Sequence, residues 1–66
     1  MNEGKKVIDV SMELTTQQAW DLAQLVKRLT FSDLRSCAAD DDEAHRMVEA
    51  INGVRQALAY AGFAPR

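Results

Sequence analysis

Sixty-six residues and 7.4 kDa leave room for one small domain. Apolar residues make up 47% of the chain and charged residues 27%, with a formal net charge of -2. This balance suits a globular protein and disfavours a nucleic-acid binder that works through basic surface. No apolar run approaches the roughly 18 residues needed to span a membrane.

A chain this short buries only about 60% of the surface it exposes when unfolded, so a further source of stability is expected. Cys37 is the only cysteine, which excludes a disulfide within one chain. With His45 it falls two ligands short of a tetrahedral zinc site. Self-association remains, and a homodimer is expected. The lone thiol and the absence of a signal-peptide-like apolar run at the N-terminus point to the cytoplasm.

Residues 1–4 are expected to be flexible. Residues 5–14 then alternate, with Ile8, Val10, Met12 and Leu14 on one side and Val7, Asp9, Ser11 and Glu13 on the other. A period of two predicts a half-buried β-strand. No second segment has this character, and a solitary strand leaves its backbone polar groups without a ladder. The expected partner is the same strand of a second copy about a two-fold axis, with Ile8, Val10, Met12 and Leu14 at the dimer interface.

Thr15 to Gln18 has capping-box spacing and opens a helix expected over 15–30. Ala19, Leu22, Ala23, Val26 and Leu29 form its apolar stripe, Leu25 widens it and Trp20 lies at its border. A break is favoured near Thr30. Ser32 then caps a short helix over 32–38 with Phe31 and Leu34 turned inward; alternatively, the first helix continues through this segment. Asp40 to Glu43 opens a last helix over 41–61, whose stripe is Ala44, Met47, Val48, Ile51, Val54 and Leu58. Gly53 falls on its solvent face, at a cost of about 1 kcal/mol relative to alanine. Gly62, Phe63 and Pro65 spell a helix stop, which leaves 62–66 as a C-terminal tail. The expected fold class is therefore α+β, mainly helical: one N-terminal strand and two main helices.

Few residues point to chemistry. The acidic run Asp40, Asp41, Asp42 and Glu43 lacks the spacing of a calcium loop. It reads as a helix N-terminus, or as a charged face towards a basic partner. His45 has carboxylates near it in sequence but no nucleophile beside it, and reads as a surface residue. Cys37 reads as a buried or half-buried structural thiol. Arg55 lies inside the apolar arc of the last helix and is expected to meet a carboxylate, with Asp21, Asp33 or a residue of the other subunit as candidates. Trp20 and Tyr60, with the acidic run, are candidate partner-binding residues. No phosphate loop, zinc-protease motif or nucleophile elbow occurs. No enzyme activity, cofactor or metal is expected.

The order strand, helix, helix is similar to that of the ribbon-helix-helix repressors, which implies DNA reading by a paired ribbon. Here the outward side chains would include Asp9 and Glu13, which oppose phosphate binding. The segments TTQQAWDLAQLVKRLTFSD (15–33) and DDDEAHRMVEAINGVRQALAYAGFAPR (40–66) resemble a family of short uncharacterised proteins of proteobacterial plasmids and mobile elements. The resemblance rests on QAW, FSD, DDDEA and AGFAPR and implies a small accessory protein without catalytic residues. The expected function is that of a non-catalytic homodimer that binds another bacterial protein, as an accessory or an inhibitor of anti-CRISPR type. The alternative is a ribbon-helix-helix-like transcriptional regulator.

Overall fold

A computed structural model describes residues 6–65 of the chain; the flexibility expected of 1–4 falls outside them. Three helices follow one another: α1 (Thr16–Arg28), α2 (Phe31–Cys37) and α3 (Asp41–Tyr60). Helices α1 and α2 each pack on α3.

Among the described residues there is no β-strand, so the α+β class is replaced by an all-helical one. With the strand goes the strand-paired dimer that it implied. Alternation of apolar and polar residues only sorts side chains onto two faces; a strand also needs a neighbouring ladder for its N–H and C=O groups. The described residues offer no second strand, and residues 6–14 form an exposed arm without regular secondary structure.

Local chemistry sets the helix limits. Thr15 accepts from the Gln18 amide at 3.1 Å, and the Gln18 side chain accepts from the Thr15 amide at 3.0 Å. This reciprocal pair satisfies two of the donors that the start of α1 leaves open. Lys27 and Arg28 close the helix at the negative end of its dipole. The break near Thr30 is present, but Thr30 caps α2 and Ser32 lies inside it. Asp33 accepts from the Thr30 amide at 2.9 Å while the Thr30 hydroxyl accepts from the Asp33 amide at 3.2 Å. A cap at Ser32 would have placed Arg35 at the third helical position, where a donor-only side chain cannot complete the box.

These hydrogen bonds to Thr30 hold the Asp33 carboxyl below the ordinary aspartate value of about 3.9. Because the folded value is the lower one, this contribution is complete above the ordinary value and is lost as the pH falls through the lowered one. In an NMR titration the Thr30 amide should therefore shift with a midpoint below that of a free aspartate. A midpoint at or above the free value would contradict the cap.

Asp40 accepts from the Glu43 amide at 2.8 Å, but Glu43 reaches past Asp40 to the Ala39 amide at 2.6 Å. The start of α3 is thus capped without a reciprocal box. Its end is a Schellman motif. The Phe63 amide donates to Leu58 at 2.8 Å and the Gly62 amide to Ala59 at 3.0 Å, with Gly62 at φ +103°. That turn folds Phe63 back onto the core around Ala19, Ala23 and Leu58, beside Leu22 and Val54.

The core is thin. Among the described residues, Val26 and Leu58 are the buried side chains larger than alanine; Ala19, Ala23 and Ala44 are the other buried apolar residues. Leu25, expected to widen the α1 stripe, is exposed.

Candidate protein-binding surface

The acidic run is tied up locally. Asp40 caps α3, Asp41 pairs with Arg35 at 2.6 Å, and Glu43 holds the Ala39 amide. Asp42 stays on the exposed surface. Tyr60 lies eighteen residues further along the same helix, or about 27 Å at the helical rise. The acidic run and Tyr60 therefore occupy opposite ends of α3 and cannot form one compact patch.

Trp20 packs edge-to-face on Phe63, with ring centroids 4.9 Å apart. It remains 39% exposed, and Tyr60 is 97% exposed. The end of α3 that carries the Schellman turn thus presents Trp20, Tyr60 and the partly buried Phe63. At the other end Phe31 of α2 lies against His45 of α3, centroids 5.2 Å apart. His45 is exposed and lies against that ring, as a surface residue. Cys37, expected to be buried or half-buried, is exposed at the end of the short α2.

Among the described residues, Arg55 does not meet a carboxylate. Its guanidinium donates to the Val26 carbonyl at 3.1 Å and to the Asn52 side-chain oxygen at 2.6 Å. Val26 lies in the last turn of α1, where carbonyls lack intrahelical donors and carry the negative end of the dipole. Arg55 therefore closes α1 from α3 across the chain. Arg55→Met keeps the stem and removes the donors. It should lower the urea midpoint by the equivalent of about 1–2 kcal/mol. An unchanged midpoint would deny the link a role in stability.

The arm carries the residues named for the dimer interface. Ile8, Val10, Met12 and Leu14 are all exposed, and they form one wall of a groove of about 800 Å³. Leu22 of α1, Ala50, Gly53, Val54 and Ala57 of α3, and Ala61 just past its end supply the floor and the other wall. Among the described residues, no ionisable side chain lines it. Val54 was already in the stripe read from the sequence, whereas Ala50, Ala57 and Ala61 were missed; their signal was a row of small residues flanking that stripe. A second, smaller hollow of about 190 Å³ lies between Arg55, Val26 and Pro65.

No group of three or more metal-ligating side chains occurs among the described residues. Their helices include none long and apolar enough to cross a membrane. A family model matches residues 1–66; it describes a family of unknown function, DUF7706. No curated protein and no solved structure matches the chain.

Proposed function

The chain belongs to this family of unknown function, DUF7706, and we propose that it is a non-catalytic accessory protein that works by binding other proteins. One observation carries the reading: among the described residues, more large apolar side chains are exposed than are fully buried. Val7, Ile8, Val10, Met12, Leu25, Phe31 and Tyr60 are exposed, whereas Val26 and Leu58 are the large side chains buried among the described residues. Apolar surface of this kind on so small a chain marks contact sites rather than a reaction centre. The aromatic end of α3, with Trp20 and Tyr60, is the site for a foreign partner, because aromatic side chains dominate interface energetics. Residence in the bacterial cytoplasm and carriage on mobile DNA belong to the same reading, and the exposed lone thiol of Cys37 suits a reducing compartment. The DNA-binding alternative loses its structural premise, since no ribbon forms among the described residues.

Tyr60→Ala removes the exposed ring without touching the core. Chemical crosslinking in a bacterial lysate should give a discrete heterologous adduct with the native chain, and Tyr60→Ala should lose it while keeping its circular dichroism. Equal capture by both forms would contradict the assigned site.

A further inference from the structure

The arm and the groove beside it match in position, polarity and length. Ile8, Val10, Met12 and Leu14 all line the groove, whereas Asp9 and Glu13 alternate with them and do not. Exposure falls along the arm, from 80 and 82% at Ile8 and Val10 to 64% at Met12 and 38% at Leu14. The arm thus meets the helices at its root and parts from them towards its tip. Thr15, the next residue, is pinned to the start of α1 by its capping box. Residues 6–14 carry no regular secondary structure that a swing at Leu14 would break.

Opposite the arm, Ala50, Gly53, Ala57 and Ala61 follow at three- and four-residue steps, which puts these small residues on one face. A side chain built at Gly53 meets nothing within 4 Å, so no contact with the arm in this position accounts for the missing Cβ. A mid-helix glycine weakens a helix relative to alanine, and the space above it is open to a side chain from the arm. Extended, Ile8 to Leu14 spans about 20 Å. Ala50 to Ala61 covers about 17 Å along the helix, so the arm is long enough to cover the row. The tether matters as well. A free partner needs about 800 Å² on each side, whereas a segment joined to its site by a short link meets it at an effective concentration on the order of millimolar and docks on a few side chains.

We propose that the arm is a strap, open in this structure, that swings at Leu14 and lays Val10 and Met12 into the space above Gly53 and Ala57. Closure covers Leu58 and Phe63 where they face the groove. It takes the apolar side of the arm out of water and leaves Asp9 and Glu13 in it, which gives the alternation of residues 8–14 a use without a strand. The strap acts within one chain and does not depend on the foreign partner assigned to the aromatic end of α3.

Nuclear Overhauser spectra of the purified, isotopically labelled full chain test it in the absence of any other protein. The native chain should give contacts from the Val10 and Met12 methyls to the Ala57 methyl, unchanged on dilution. Gly53→Leu fills the groove from the helix, and Met12→Asp puts a charge on the apolar side of the strap; each should lose the contact between Val10 and Ala57, with helicity retained. Tyr60→Ala should keep it, which separates the strap from the foreign contact. Should Gly53→Leu lose helicity, Met12→Asp decides, since residue 12 lies outside every helix. Absence of these contacts in the native chain, contacts that vanish on dilution, or a Val10 contact retained in either folded groove variant would overturn the proposal.

Discussion

Leu58→Ala is expected to cost about 2–5 kcal/mol, the range for emptying a buried leucine site. Leu58 is 8% exposed and forms the centre of the core with Ala19 and Ala23. Those neighbours are already alanines, so they have no side-chain length with which to close the cavity. Phe63 rests on the same cluster, and Trp20 rests on Phe63. Loss of Leu58 therefore loosens the aromatic end of α3 as well. For a domain of this size, each kcal/mol moves the melting temperature by about 4–8 °C. A fall of at least about 10 °C is expected in thermal unfolding followed by circular dichroism. Leu25→Ala, at an exposed position on α1, should change it little. Equal effects of the two substitutions would mean that the core is not where the fold places it.

Val26→Asp should leave the chain unfolded. Val26 is 1% exposed, and it is the largest side chain buried so completely. The Arg55 guanidinium, which reaches the Val26 carbonyl, is already engaged there and by Asn52. A buried, poorly paired carboxylate costs several kcal/mol. A core of this size supplies about 3–5 kcal/mol in total. The expected readout is an amide spectrum with the narrow dispersion of a disordered chain at neutral pH. Recovery of native dispersion on acidification, as the carboxylate is neutralised, would fit the same cause. A folded spectrum at neutral pH would show that Val26 is not enclosed.

The helices were legible where their determinants sit within a few residues of one another. Thr15 and Gln18, or Gly62 and Phe63, state a cap and a stop through short-range hydrogen bonding alone. The start of α2 was readable too, but the signal lay in Asp33 rather than in Ser32: an acidic side chain three residues after Thr30 completes a box, and Arg35 after Ser32 does not. The arm shows the limit of periodicity. Ile8, Val10, Met12 and Leu14 alternate as a strand would, yet the pattern names a face without providing the ladder that makes a strand.

Long-range contacts were beyond sequence reading for a different reason. Trp20 and Phe63 are 43 residues apart, and nothing local couples α1 to the Schellman turn. For Arg55 the sequence singled out the correct residue and the wrong partner. A cation inside an apolar arc demands an acceptor, and side chains are the acceptors a sequence displays. The Val26 carbonyl is set free only because α1 ends where it does. Gly53 was visible as a cost to the helix, while the groove it deepens exists only once the arm runs beside α3.

The most direct measurement is an NMR titration of the isotopically labelled chain with unlabelled bacterial lysate. The signals of the exposed Trp20 and Tyr60 rings are expected to shift or broaden, while those of the buried Val26 and Leu58 keep their folded dispersion. Trp20 and Tyr60 signals that stay unchanged across the titration would contradict the reading of this apolar surface as a protein interface.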